Sequence, residues 1–219
     1  MPDYITYQIQ EQQLCLMPQK AIWWEAERML LLADVHLGKV GHFRKAGIAV
    51  PTQIHQKDLL VLTQLVTDCQ PQSLTILGDL FHSNWNTDWY LFEDWVLKHK
   101  DLKINLVMGN HDIIPEKLFT DLNIAIFKET WEKPPFIFSH IPLEIKSLKN
   151  DLYNLCGHLH PAVSLRGRGS QHLRLACFYF GKQQGYLPAF GKFTGTAIIQ
   201  VKEGDAIFVV LEDKVLKVG

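Results

Sequence analysis

Asp34-x-His36, Asp79, Asn110-His111, His140 and His158-x-His160 are the residue types from which divalent-metal sites are made, and each group directly follows a short apolar run. Carboxylate and carboxamide oxygens and neutral imidazoles are the mixed donors that suit Mn, Fe or Zn better than Ca or Mg, which prefer oxygen alone. If all but His111 bind metal, the set offers two carboxylates, one amide oxygen and four imidazoles, enough for two ions with Asp79 bridging them. Two divalent cations against two carboxylates leave about two positive charges, which a hydroxide and a phosphate oxygen balance. Ions about 3.5 to 4 Å apart clamp an in-line displacement at phosphorus, so the expected reaction is phosphoester hydrolysis. His111 adjoins Asn110 but cannot easily point the same way, which frees it to protonate the leaving alkoxide. His82, three residues past Asp79, is placed to assist or orient it. A lone Asp-x-His or His-x-His arises by chance, and Gly-Asn-His-Asp also makes a tight turn. The repetition at the ends of five apolar runs is what chance does not supply.

Those runs must be strands that stop together. Met29–Ala33, Ser73–Leu77, Ile104–Met108, Phe136–Phe138 and Leu152–Cys156 have the length and apolar content of buried strands. In an open sheet their ends share one edge, where α/β proteins bind ligands. Residues two apart on an extended chain project to one side, so Asp34 and His36 are expected to reach one ion together. Leu59, Leu62, Leu65 and Val66 mark a helix over Ile54–Asp68, and Leu91, Phe92, Trp95 and Val96 mark another from Asn86 or Thr87 to about Lys100. Strands alternating with helices predict a parallel sheet. Residues 4–9 and 14–24 read as opening antiparallel strands, and Pro115–Leu122 as a short helix. Near the C-terminus, His172–Phe180 is extended and Gly181–Gly195 a loop. Ala197–Val201 and Ala206–Leu211 read as a hairpin around Lys202-Glu203-Gly204-Asp205, with Lys214–Val218 as a last edge strand.

With 219 residues and no linker-like stretch, one domain over residues 1–219 is expected. The formal net charge of -1 excludes a whole-molecule field that would hold a polyanion, so any such substrate must be gripped locally. Arg44, in the basic loop Lys39–Val50 after the first of these strands, is the leading candidate for touching substrate phosphate, ahead of Arg166, Arg168 and Lys192. Trp85 and Trp89 are candidates for stacking on a base, against core packing as the plainer role. Cys15, Cys69, Cys156 and Cys177 form no CxxC pair, which favours free thiols in a reducing compartment. No basic-then-apolar leader opens the sequence and no apolar run is long enough to span a bilayer; a soluble cytoplasmic protein without a membrane partner is expected.

The ordered set Asp34-x-His36, Gly78-Asp79, Gly109-Asn110-His111-Asp112, His140 and Gly157-His158-x-His160 resembles the signature of the calcineurin-like metallophosphoesterase superfamily. The resemblance implies an α/β (α+β) sandwich of two mixed sheets packed face to face and flanked by helices, around a dinuclear site commonly holding Mn. By motif position it assigns Asp34, His36, Asp79 and His160 to one ion, Asp79, Asn110, His140 and His158 to the other, and His111 to the catalytic acid. Where many members have Asp, this chain has His82, and Gly78-Asp79-Leu80-Phe81-His82 is similar to the nuclease subunits of double-strand-break repair complexes. Three further stretches, Ala33–Lys39 with Phe43–Pro51, Gly157–Ala162 and Leu187–Gly195, resemble the bacterial DNA-ligase-associated metallophosphoesterases. That resemblance implies Mn-dependent phosphodiesterase or DNA endonuclease activity in repair, with a DNA ligase, a helicase and a nuclease-like protein as partners. The alternatives are a phosphomonoesterase or nucleotide hydrolase acting on a small molecule or phosphoprotein, and a non-catalytic scaffold. A scaffold would have eroded ligands, and none is missing here.

Overall fold

Apolar residues at every position of Met29–Leu32 leave such a strand no face for solvent, so it must be covered on both sides. A computed structural model, which describes residues 4–37, 54–82, 87–148, 151–166, 172–192 and 194–218, shows how. The first sheet runs in chain order through β1 (Ile5–Ile9), β2 (Gln12–Leu16), β3 (Ile22–Trp24), β4 (Met29–Leu32), β5 (Ser73–Leu77), β6 (Lys103–Val107) and β7 (Ala125–Phe127). Its opening strands up to β4 pair antiparallel, and β4 through β7 pair parallel. Between the parallel strands in sequence lie α1 (Ile54–Cys69), α2 (Thr87–Lys98) and α3 (Glu116–Asp121), as the strand-helix alternation predicts.

The period of two then divides the core. Leu30, Leu32, Leu74, Ile76, Ile104 and Leu106 pack with Leu62, Leu65, Phe92 and Trp95 of the helices. Leu31, Leu77 and Val107 point the other way, into Phe136, Phe138, Phe178 and Phe180 of the second sheet. That sheet comprises β8 (Thr130–Lys133), β9 (Phe136–Ser139), β10 (Tyr153–Cys156), β11 (Pro161–Arg166), β12 (His172–Phe180), β13 (Gln184–Tyr186), β14 (Ala197–Ile198), β15 (Ala206–Val210) and β16 (Val215–Lys217). Its order is β14-β11-β12-β13-β10-β9-β8, with β15 also on β12 and β16 on β15. Within it β9, β10 and β13 are parallel. The two-sheet α/β sandwich implied by the resemblance is therefore present.

Three expectations change. Gly181–Gly195, expected as a loop, contains the strand β13, which pairs with β10 and β12. The five runs do not end on one open sheet: β4, β5 and β6 belong to the first sheet, β9 and β10 to the second. The hairpin of Ala197–Val201 with Ala206–Leu211 does not form, because β14 pairs with β11 and β15 with β12. Its turn is real, since Asp205 N–H donates to Lys202 O, but Ala197 and Ile199 donate instead to His160 O and Ala162 O. The edge strand at the C-terminus is found as β16. All four cysteines are free, and no described helix is long and apolar enough to cross a membrane.

Candidate metal centre

Beyond β4 and β5 the chains stay paired but no longer pleated. Asp34, His36 and Leu37 N–H groups donate to Gly78, Asp79 and Leu80 carbonyls, and His82 N–H donates back to Leu37 O. Asp34, His36 and Asp79 have φ of 53°, 51° and 50°, and His158 and His160 have 67° and 47°. Each is in the left-handed region, which costs a residue with a Cβ about 1–2 kcal/mol. Asp34 and His36 thus come together through left-handed turns and not by the alternation of an extended strand. Backbone strain concentrated at five polar residues on two sheets marks a place where side-chain direction matters more than stability.

The side chains converge in two groups. In the first, His36 Nε2 lies 3.4 Å from His160 Nε2 and 3.8 Å from Asp79 Oδ2, and His160 Nε2 lies 3.3 Å from Asp34 Oδ1. In the second, His140 Nε2 lies 3.1 Å from Asn110 Oδ1, 3.1 Å from His158 Nδ1 and 3.5 Å from Asp79 Oδ1. The two oxygens of Asp79 face one group each. Asp34, buried at the centre, comes within 4.8 Å of ligand atoms on both sides, joining His36 and His160 in one cluster and Asp79 and His140 in the other.

Proton placement shows what these atoms need. His140 Nδ1 is 3.0 Å from Leu77 O and His160 Nδ1 is 3.0 Å from Gly195 O, so each donates there and presents an Nε2 lone pair. Those lone pairs face the oxygens of Asn110, Asp79 and Asp34, acceptors opposite acceptors. Asp34 Oδ1 is buried and receives no hydrogen bond. The His158 imidazole is held below its ordinary range, first by burial and then by His140 beside it, both of which favour its neutral form. Asp34 and Asp79 are 0% and 2% exposed, and among the described residues neither has a Lys or Arg in ion-pair reach. Donors about 2.1 Å from one ion sit roughly 3 to 3.4 Å from each other, close to the 3.1 to 3.8 Å found here. The residues fit a pair of divalent cations, and one cation per group would resolve every one of these conflicts.

Neighbouring groups fix the ligand loops. At Gly78 (φ 79°) a Cβ would occupy the His140 ring, and at Gly109 it would overlap the Asp79 carboxylate. Gly78→Ala is expected to destabilise the metal-free protein by about 2 kcal/mol and to lower metal content through a displaced His140. Chemical denaturation and elemental analysis measure the two effects. Asp112, given no role from the sequence although it closes the Gly-Asn-His-Asp run, accepts Gly109 N–H at 2.9 Å and Phe81 N–H at 3.1 Å, tying the loops after β5 and β6 together. Burial pushes its carboxyl up to about 6 against the two backbone donors. Within the stretch Gly181–Gly195, Phe190 and Gly191 donate to Ala33 O and Asp34 O, and Gly195 O receives His160. The only advance signal of these contacts was the family resemblance of Leu187–Gly195.

His111 is exposed above this floor, its backbone N–H 2.9 Å from Asp79 Oδ1 and its ring 5.8 Å from the His36 ring. The His82 ring packs 4.9 Å from it, so these two histidines share one flank. Arg44, Arg168 and Trp85 lie outside the described residues, as does the side chain of Arg166. Lys192 is exposed, whereas Trp89 is 2% exposed among Phe81, Phe92 and Phe119 and belongs to the core, not to a rim.

The family profile for calcineurin-like phosphoesterases matches residues 27–178, which contain every ligand candidate. The fold is similar to the crystal structure of the Pseudomonas putida nuclease MPE, with TM-score 0.83 and 33% identity over 99% of this chain and 100% of that one. It is also similar to Yfce, a phosphoesterase from E. coli, with TM-score 0.44 and 15% identity over 84% and 88% of the two chains. No curated protein sequence matches. Members of the matched family bind two divalent metals, and the lone-pair conflicts above are what two such ions would relieve. The chain accordingly belongs to the calcineurin-like phosphoesterase family and is a metal-dependent phosphoester hydrolase.

Proposed function

We propose that this chain, acting as one domain, is a phosphodiesterase that cuts DNA. The observation that carries the reading is the Asp79 carboxylate, with one oxygen toward His36 and the other toward His140, as a bridging ligand requires. Asp34, His36, Asp79 and His160 would hold one ion and Asp79, Asn110, His140 and His158 the other. Bound there, divalent ions supply water activation and charge stabilisation at phosphorus. Mixed nitrogen and oxygen donors suit Mn, Fe or Zn, and the family resemblance favours Mn among them.

The protein's own groups do the rest. Asn110 and His111 are exposed at the edge of the site, open to a polymer passing across it. His111 donates its proton to the leaving ester oxygen, held over the centre by its backbone bond to Asp79, while His82 orients its ring. Arg44 is the proposed contact to substrate phosphate. The 33% likeness to a nuclease along the full length of both chains favours nucleic acid over a small monoester. The same reading places the enzyme in DNA repair in the cytoplasm, beside a DNA ligase, a helicase and a nuclease-like protein.

A comparison of bis-p-nitrophenyl phosphate with p-nitrophenyl phosphate, then plasmid with single-stranded DNA, each with Mn, tests the reading. Preference for the diester by about tenfold or more, together with DNA cleavage, is expected. Preference for the monoester with intact DNA would make the enzyme a phosphatase.

A further inference from the structure

A cavity of about 410 Å³ opens beside the second ligand group, walled by Met108, Asn110, His140, Ile141, Pro142 and Leu143. Its size is that of a small-molecule site. Two of its walls, Asn110 and His140, are ligand candidates, so the cavity adjoins the place where the second ion would hold a phosphate. Met108, Ile141, Pro142 and Leu143 give the wall an apolar side, and Ile141 keeps 53% of its surface exposed.

That apolar shelf is held by groups a sheet interior would normally avoid. Ser139, Asn154 and Gln184 are 1%, 0% and 5% exposed, in β9, β10 and β13. Ser139 Oγ donates to Ile141 O at 2.7 Å, Asn154 Oδ1 accepts Leu143 N–H at 3.4 Å, and Gln184 Nε2 donates to Leu143 O at 3.0 Å. The three are joined to each other, with Asn154 Nδ2 2.9 Å from Ser139 Oγ and Gln184 Nε2 2.7 Å from Asn154 Oδ1. A buried polar network that ends on the backbone of one surface loop rigidifies that loop. Apolar side chains could have filled the same interior without it.

Charge at the mouth narrows the occupant. Lys128 lines the cavity but pairs with Glu116 at 3.2 Å, and Glu129 lines it too. Without a net cation the cavity does not select a second phosphate. It suits an uncharged group with a flat apolar face. Position supplies the last constraint: His111 stands with His36 and His82, whereas the cavity lies on the Asn110 and His140 side. The leaving group belongs beside His111, so the cavity takes the ester substituent that stays on phosphorus.

We propose that this cavity binds the nucleoside retained on the cleaved phosphate, making the enzyme selective for nucleoside phosphodiesters. The proposal rests on the diesterase reading above and adds where its selectivity resides. Methyl p-nitrophenyl phosphate and the p-nitrophenyl phosphates of thymidine, 5′ and 3′, share a leaving group and differ only in the retained substituent. The better thymidine ester is expected to have a KM about tenfold below that of the methyl ester. Ile141→Ala is expected to bring the ratio of the two KM values near one, and Ile141→Leu to restore it; exposed Ile141 tolerates both changes. As a readout apart from turnover, saturation-transfer NMR of thymidine with metal-free protein should show binding that Ile141→Ala weakens. Hydrolysis of both esters without preference, or a preference that survives Ile141→Ala, overturns the cavity proposal and leaves the diesterase reading intact. Failure to hydrolyse either ester overturns the diesterase reading itself.

Discussion

Asp79→Asn is expected to lower metal content from two ions per chain to less than one and to reduce kcat/KM at least about 10³-fold, a loss of roughly 4 kcal/mol of transition-state stabilisation. The substitution keeps the shape of the side chain and removes one donor and one charge. Oδ1 and Oδ2 face separate imidazole groups, so an amide cannot serve both. Whichever way it turns, its NH2 meets either a lone pair meant for metal or the His111 N–H that Asp79 now accepts. Stability moves in the opposite direction. Asp34 and Asp79 are buried carboxylates with ligand atoms within 4.8 Å of each other. Removing one should stabilise the metal-free protein by about 1 kcal/mol, or roughly 2–4 °C in Tm. Wild-type protein should lose Tm on addition of EDTA, because ligand binding to the folded state stabilises it, and the variant should not respond. Two ions still bound to Asp79→Asn by elemental analysis would remove Asp79 from its bridging role.

Much of this centre was legible because metal ligands cluster where strands stop, and a strand's end is one of the better-marked events in a sequence. Gly78-Asp79 and Gly109-Asn110 each close an apolar run, and β5 and β6 end there. The way the ligands turn inward was not legible. Asp34 and His36 suit an extended pleat equally well on paper, and only the pairing with Gly78–His82 reveals that both adopt left-handed backbone. Supporting residues were harder still. Ser139 follows one apolar run, Asn154 lies within another and Gln184 falls in a stretch expected as a loop, and their joint meaning depends on three strands being neighbours. β14 illustrates the same limit: turn chemistry at Lys202–Asp205 is local and was read correctly, but the partner of Ala197–Ile198 is set by His160 and Ala162 from far along the chain. Helices α1 and α2 posed no such difficulty, their apolar spacing being a property of each segment alone.

Replacement of His111 by Ala should have a large effect of a different kind: turnover of DNA falls about 10²–10⁴-fold while both ions stay bound. His111 touches the centre through its backbone N–H, which alanine retains, so Asp79 keeps its 2.9 Å hydrogen bond. The imidazole itself is exposed, and its loss should leave thermal stability nearly unaltered. Leaving-group chemistry then separates proton donation from charge stabilisation. A deoxyribose alkoxide is a strong base that must be protonated as it departs, whereas p-nitrophenolate departs without help. If His111 is the acid, the variant should lose at least about a hundredfold on DNA and less than about tenfold on bis-p-nitrophenyl phosphate. Equal losses on the two substrates would instead put the ring against the phosphoryl oxygens, where it acts on every ester alike. His82→Ala provides the internal comparison. Its ring lies 4.9 Å from that of His111 and 5.1 Å from that of His36. Action through His111 predicts the same leaving-group pattern at smaller size and no further effect once His111 is alanine, whereas a loss that persists in the double variant would put its action on His36.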